Sequence, residues 1–428
     1  MRVTLVVSAA LAALAAPLAA QQQLEVTLDE AVRRALQVQP AMVQARGESR
    51  TSGAAYLSAV GAFLPNLTTG ASAIRNNQPF RIQGDTTTYP PVYTYSGTFS
   101  VSINRFDLVR RMGDLRASSA ERTAAAIGVV NQRFQVTLAT KQAFYNAIAT
   151  EELVRVAESQ VRRTEQQLTI SIDKLRAGSA TRSDSLRSTV DYGNARIGLL
   201  RARANLATAQ ASLGRQIGAD RLVRAVPDNL LPPPPDTAAI RDAAVDATPQ
   251  VQQAEALARA ARANVWVARS EFWPSLDASY SNTRSGIGDP QLPLFGGYPE
   301  RFQWRFGLSW TLFDGFQREQ QQVSASVARD NAETRAAHAH RDVSAQLTQQ
   351  LAAITTSFEQ IDIARATVAA ATEDLRVQSE RYRVGASTIL DLLTSQATLT
   401  QAEVSLVQAR FDYLIARAEL EALLGREL

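Results

Sequence analysis

The sequence predicts a mainly α-helical chain with a smaller β part, laid out twice over. Three observations predict it. Two stretches of about 70 residues, about 107–176 and about 314–383, carry helical patterning and no proline. Two others, about 65–106 and about 274–313, switch to an alternation of period two. Landmarks recur at one offset of 207 residues: Gly178 with Gly385, Thr181 with Thr388, Asp184 with Asp391, and Phe106-Asp107 with Phe313-Asp314. The plan is an internal twofold repeat of β-hairpins and long antiparallel helical hairpins.

Residues 1–20 have the make-up of a secretory signal peptide. Arg2 precedes an apolar run from Val3 to Leu14, and Ala-Pro-Leu-Ala-Ala ends before Gln21. The first repeat, 21–217, opens on Thr27-Leu28-Asp29-Glu30, which has the spacing of a capping box, followed by Ala31, Val32, Ala35 and Leu36 at helical spacing. Pro40 kinks or restarts this helix, and the pattern runs to Phe63-Leu64-Pro65. Leu67, Thr69, Ala71 and Ala73 then alternate with Thr68, Gly70 and Ser72. After a polar, proline-bearing loop, Tyr93, Tyr95, Gly97, Phe99, Val101 and Ile103 take one face of a strand, and Thr94, Ser96, Thr98, Ser100, Ser102 and Asn104 the other. A helix over 107–176 has a length of about 105 Å. A tip at 177–182 leads into a shorter helix ending near Leu213-Gly214-Arg215.

Residues 218–236, with Pro227 and Pro232 to Pro235, form an extended linker. The second repeat, 237–428, goes through the same plan. A helical pattern from about 238 is broken at Pro249 and ends at Phe272-Trp273-Pro274. Leu276, Ala278 and Tyr280 alternate with Asp277, Ser279 and Ser281, and a Gly/Pro-rich loop covers about 284–300. A strand follows with Phe302, Trp304, Phe306, Leu308, Trp310 and Leu312 on one face. The long helix over 314–383 carries the stripe Leu347, Leu351, Ile354, Phe358, Ile361, Val368 and Leu375. A tip at 384–388 precedes the last helix, which stops at Leu424-Gly425-Arg426. In each repeat two helices of about 50 Å, end to end, match one of about 105 Å.

The tips have a physical logic of their own. Gly178 and Gly385 stand where a helix ends, a place glycine fills because it takes the left-handed conformation without strain. Thr181 and Thr388, each three residues before an aspartate, have the spacing of an N-cap with its capping-box partner. Capping is the main energetic role of Asp184 and Asp391; in an oligomer the same acids ring a narrow opening and favour cations.

Composition narrows the chemistry. The chain has no cysteine, hence no disulfide and no thiolate chemistry. Its positive charge is nearly all arginine, with lysine only at 141 and 174, dispersed along helices beside acids; this is not a nucleic-acid-binding face. His338 and His340, at i and i+2, point to different helix faces and make no metal site. No nucleophile–base set or phosphate loop stands out, so the expectation is a protein without catalysis or cofactor. No apolar run is long enough for a membrane helix. The strands decide the environment: apolar on one face, small and polar on the other, and long enough to cross a bilayer. Four strands cannot close a barrel, and an open edge in lipid is not viable, so several copies pool their strands and the helices form a tube below them. The alternative is an extracytoplasmic coiled-coil structural protein or adhesin with soluble hairpins. On the barrel reading Arg305 falls on the lumen face and is a pore-lining charge.

At the opening Thr27-Leu28-Asp29-Glu30-Ala31-Val32 and at the paired tips, Arg-Ala-Gly-x5-Asp and Arg-Val-Gly-x5-Asp, the sequence resembles the TolC-like outer-membrane efflux and secretion proteins over essentially the whole mature chain. The resemblance implies a homotrimer with a 12-stranded barrel in outer-membrane lipid and a helical tunnel through the periplasm. It also implies a periplasmic adaptor, an inner-membrane pump, and tips that close the tunnel as a gate. The gate candidates that carry over are Asp184, Asp391 and Tyr382. Arg182 and Arg383 are the cations at hand; these two and Tyr382 are either gate partners across subunits or solvated tip residues. Gly178, Ser179, Gly385 and Ala386 are the candidate docking points for the adaptor's helical hairpin. Two positions depart from the family's best-known member: Ser387 stands where it has a gate arginine, and Thr394 where it has a second acid. The transported cargo, small molecule or protein, is left open.

Overall fold

A computed structural model describes residues 24–76, 80–82, 85–87, 92–227, 231–236, 240, 245–287 and 298–428. The signal-peptide expectation for 1–20 lies outside the described residues, as do parts of the loop at 284–300 and of the helical pattern at 238–248. In chain order the elements are β1 (Leu24–Val26), α1 (Leu28–Val38), α2 (Pro40–Gly61), β2 (Asn66–Asn76), β3 (Phe80–Ile82), β4 (Asp85–Thr87), β5 (Val92–Phe106), α3 (Leu108–Arg176) and α4 (Arg182–Ile217). Then come β6 (Val223–Ala225), α5 (Pro249–Ser270), β7 (Ser275–Ile287), β8 (Glu300–Ser309), α6 (Gln317–Arg383) and α7 (Ile389–Leu424). Two compact units result, and each draws on both repeats. One holds residues up to Gly47, Gly128–Val251 and His340–Leu428; the other holds Glu48–Ile127 and Gln252–Ala339. Among the described residues, no helix is long and apolar enough to cross a membrane.

In the first unit the helical stripe becomes core. Leu347, Leu351, Ile354 and Ile361 of α6 bury against Ala409, Tyr413, Ala416, Leu420 and Leu424 of α7, with Phe358 packed at the margin. Val368 and Leu375 continue the stripe beside Ala371, Leu399 and Ala402. Each fully buried aliphatic side chain contributes about 1.5–3 kcal/mol. A second cluster joins Phe144, Ala147 and Ile148 of α3 to Ala209, Leu213 and Ile217 of α4 and to Val26, Val223 and Ala225. The last three belong to a two-stranded parallel sheet, β1 with β6, in the register Leu24 to Val223. The expected extended linker thus begins with a strand, because alternate residues Val223 and Ala225 have an apolar floor to cover. Its proline run is tied down further on: Tyr413 Oη donates to the Pro232 carbonyl at 2.8 Å and Arg417 Nη1 to that of Pro233 at 3.1 Å. Beneath, buried Glu421 accepts from Lys141 Nζ and lies within 3.4 Å of Arg417 Nε.

Helix ends differ from expectation at Thr27 and Gly214, while Pro40 restarts its helix as the sequence allows. Thr27 is the N-cap of α1, but its side chain makes no cap bond; Glu30 turns forward to Arg34 instead of back to the N-cap. Pro40 restarts the helix at its first position, after Gln39 takes an extended ψ of 125°. The first repeat's last helix does not end at Gly214. It runs to Ile217 and stops on Gly218 in the left-handed conformation, 207 residues before Gly425, which caps α7 in the same way. Gly214 lies inside the helix and is glycine for space: a Cβ there would come within 2.9 Å of the Arg221 carbonyl oxygen.

The second unit is built on an antiparallel sheet in the order β2-β5-β7-β8. The register sorts most of its residues by polarity, with Thr69, Asn282, Arg284 and Glu300 as polar members of the mainly apolar face. Leu67 faces Val101, which faces Tyr280, which faces Trp304; Thr69, Phe99, Asn282 and Phe302 make the next row. One face therefore collects Leu67, Phe99, Val101, Leu276, Tyr280, Phe302, Trp304, Phe306 and Leu308. The other collects Thr68, Ser72, Ser96, Ser100, Asp277, Ser279, Gln303 and Arg305. Hydroxyl pairs cross the polar face, Thr68 with Ser100 at 2.6 Å and Ser72 with Ser96 at 2.8 Å. The apolar face is bare: Phe302, Trp304, Phe306 and Leu308 are all exposed, Phe306 by 76%. β8 ends at Ser309, short of the expected Leu312. Arg318 draws the backbone out of the strand by donating to the carbonyls of Thr311 and Leu312 at 2.8 and 3.0 Å. The long helix accordingly starts at Gln317 and not at 314.

Candidate functional site

Both tips are made by the same two devices in sequence. Each helix ends in a Schellman turn: Ser179 N donates to the Lys174 carbonyl at 2.9 Å and Gly178 N to that of Leu175 at 3.0 Å, while Ala386 N and Gly385 N donate to Arg381 and Tyr382 at 2.8 and 3.2 Å. Gly178 and Gly385 sit at φ 73° and 82°, and a Cβ on either would meet nothing within 4 Å, so conformation alone requires glycine. Gly178, Ser179, Gly385 and Ala386 are all exposed.

The next helix begins at once with a full capping box. Asp184 Oδ2 accepts from Thr181 N at 3.0 Å and Thr181 Oγ1 at 2.8 Å, and Asp184 N donates to Thr181 Oγ1 at 3.2 Å. Asp391 repeats the pattern on Thr388 at 3.0, 2.7 and 3.2 Å. These hydrogen bonds from the Thr388 hydroxyl and backbone, helped by Ser387 and by Arg381, hold the Asp391 carboxyl below the usual carboxylate range. Ser387 has taken a local role: its hydroxyl lies 3.0 Å from Gln378 Oε1 and 3.2 Å from Asp391 Oδ2.

The other candidates lie apart from the aspartates. Arg383 pairs with Glu380 one turn back at 2.9 Å. Arg182 is exposed and makes no ion pair among the described residues. Tyr382 is buried, 6% exposed, against Ile389 and Leu392. Its hydroxyl is buried too and finds no partner among the described residues. What holds it is a residue that sequence reasoning passed over. Lys174, from the first tip, donates Nζ to the Tyr382 carbonyl and lies 4.1 Å from the centre of the Tyr382 ring. Lys174 is therefore a direct link between the two tips of one chain. Its signal in the sequence was rarity, as one of two lysines. His340 is engaged with Asp246 at 2.9 Å, and no cluster of three metal-ligating side chains occurs among the described residues.

Long paired helices with capped tips, together with a sheet that is polar on one face and bare apolar on the other, define a membrane channel protein. The sequence profile described as "Outer membrane efflux protein" matches residues 31–219 and 240–426, and the chain belongs to that family. It is 23% identical over 351 residues to the outer membrane efflux protein BepC of Brucella suis, covering 78% of this chain and 73% of BepC. It is 24% identical over 360 residues to the outer membrane protein TolC of Escherichia coli, with 78% and 73% covered. Its fold is that of the CmeC outer membrane channel of Campylobacter jejuni: TM-score 0.82, 17% identity, 93% of this chain and 85% of that one. The protein is thus a TolC-like outer-membrane efflux channel component with a helical periplasmic part.

Proposed function

We propose that three copies of this chain pool their sheets into one 12-stranded barrel and their helices into a tunnel, a passive exit duct for cargo handed on by an inner-membrane pump through a periplasmic adaptor. The observation that carries this is the sheet. It has two sorted faces, and β2 and β8 each keep one unpaired edge within the chain. Open edges have no place in lipid, so β8 of one copy pairs with β2 of the next. The apolar face meets lipid and the face with Asp277 and Arg305 lines the water-filled lumen. Exposed apolar residues recur along α4 at Leu186, Val190, Ile197 and Leu200, the spacing of a seam for a helix of a neighbouring copy.

In that trimer the tips converge as a gate. Asp184 and Asp391 form its acidic rings, Arg182 and Arg383 its available cations, and Tyr382 its buried anchor. Gly178, Ser179, Gly385 and Ala386 are the small, exposed positions on which the adaptor's hairpin docks. Planar-bilayer conductance tests the scheme, with wild type beside the Asp184→Asn/Asp391→Asn variant. The expected result is small cation-preferring steps from the wild type and less selective steps from the variant. A protein that neither conducts nor requires detergent would overturn the channel; an unchanged reversal potential in the variant would remove the aspartates from the gate.

A further inference from the structure

The 207-residue offset brings Phe106-Asp107-Leu108-Val109 into register with Phe313-Asp314-Gly315-Phe316, where a strand hands over to a long helix. Here the two repeats part company. In the first, Asp107 caps α3 directly: its Oδ1 accepts from Arg110 N at 3.1 Å and the helix starts at Leu108. In the second, the chain makes a left-handed excursion at Gly315 (φ 72°) and Phe316 (φ 68°) before α6 starts. Phe316 is the one non-glycine residue with positive φ among the described residues. A bulky aromatic is strained in that conformation.

Among the described residues no burial of either ring compensates. Phe316 and Phe313 are 67% and 70% exposed and touch each other edge to face at 5.5 Å. The turn is nonetheless held firmly. Arg318 donates to the carbonyls of Thr311 and Leu312, its backbone N–H to Asp314 Oδ2 at 3.1 Å, and its guanidinium lies 4.9 Å from the centre of the Phe272 ring. A strained, fixed turn that presents two large aromatic rings outward is built to be covered.

We propose that the Phe313–Phe316 turn is a wedge that seats in membrane lipid at the end of the barrel nearest the helices. It rests on the reading of the sheet's apolar face as the lipid face. Continuity points to lipid as the occupant. The chain passes from Phe306 and Leu308 on that face through exposed Trp310 and Leu312 into the wedge, with only Ser309 and Thr311 between them as polar residues. The next six residues, Gln317-Arg318-Glu319-Gln320-Gln321-Gln322, are all polar. Aromatic side chains concentrate at such a boundary between lipid and water.

The absence of cysteine makes the test clean. A nitroxide is placed singly at Phe316→Cys, and in a second variant at Phe313→Cys, in protein reconstituted into phospholipid vesicles. Collision rates with oxygen and with a water-soluble nickel chelate are then measured. Phe306→Cys is the lipid reference and Glu165→Cys, on α3, the aqueous one; both parent residues are exposed. The wedge predicts an oxygen-to-nickel ratio at 313 and 316 several-fold above that at 165 and approaching that at 306. A ratio equal to that at 165, while 306 reports lipid, overturns the wedge and leaves the channel intact. Protection from both collision partners overturns it as well, since a second copy then covers the turn. An aqueous ratio at 306 itself sinks the channel reading on which the wedge rests.

Discussion

Lys174→Met removes the link between the two tips of a chain while keeping most of the side chain's apolar stem. The lost interactions are a hydrogen bond from a charged donor, about 1.5–3 kcal/mol, and a cation–π contact of about 0.5–2 kcal/mol. Both use the same ammonium and do not add in full. About 2 kcal/mol per protomer corresponds to a shift of about 30-fold in the ratio of linked to unlinked tips. If the tips form the gate, single-channel recordings of Lys174→Met show longer or larger open events than wild type. Lys174→Arg, which keeps charge and donors, falls between the two. Tyr382→Phe keeps the carbonyl and the ring and loses only a hydroxyl that has no partner, so it gates like wild type and melts at the same or a higher temperature. Wild-type open events from a correctly folded Lys174→Met trimer would refute the reasoning.

Further outcomes follow from other parts of the fold. Trp304→Arg puts a charge on the apolar face near mid-strand and is expected to cost about 2–4 kcal/mol in a bilayer, whereas Gln303→Arg, on the polar face, assembles normally and alters conductance; yields of heat-sensitive trimer on SDS gels report both. Glu421→Ala strands Lys141 and Arg417 in a nearly dry site and is expected to lower stability by about 3–5 kcal/mol, seen in thermal melting. The lowered native pKa of Asp391 means that its contribution is present above the ordinary aspartate range and is lost as pH falls through the lowered value. The melting-temperature gap between wild type and Asp391→Asn is therefore flat from neutral pH down through mild acid and closes only in strong acid; a gap that closes already in mild acid contradicts the geometry of the cap.

The helices, the strands and the tips were legible because each rests on local rules. A seven-residue stripe has to be buried, a period of two has to make a two-faced strand, and Gly followed by Thr-x-x-Asp has to stop one helix and start another. The misread points are those where a distant partner decides. Thr27-x-x-Glu30 has the letters of a capping box, but Arg34 takes the glutamate. Gly214 looks like a terminator, but it is glycine because the Arg221 carbonyl approaches too closely for a Cβ, and the helix ends at Gly218. Trp310 and Leu312 keep the alternation of β8, yet Arg318 takes the carbonyls of Thr311 and Leu312 out of the ladder. The role of Lys174 was hidden for the same reason: its partner is 208 residues away. In hindsight the two lysines form a pattern, since Lys141 and Lys174 both reach from the first repeat's long helix to acceptors in the second repeat, Glu421 and the Tyr382 carbonyl.

Capping and the gating proposed above are compatible roles for the tip aspartates. In each box the acid's bonds to the N-cap go to one oxygen: Oδ2 of Asp184 and Oδ2 of Asp391 take both the N-cap amide and the N-cap hydroxyl. The second oxygen of each carboxylate keeps its capacity for a cation, and the cap fixes where that oxygen stands. At Asp391 the same bonds that stop the backbone from fraying also lower the pKa and so keep the charge in place at any pH the periplasm meets. A charge carried on a free side chain would swing and would answer to its neighbours; a charge locked into a helix start moves only when the tip moves. In the proposed gate, an acidic ring made this way changes its width by a displacement of whole hairpins, and the contact from Lys174 to Tyr382 is one that holds the two hairpins of a chain together against it.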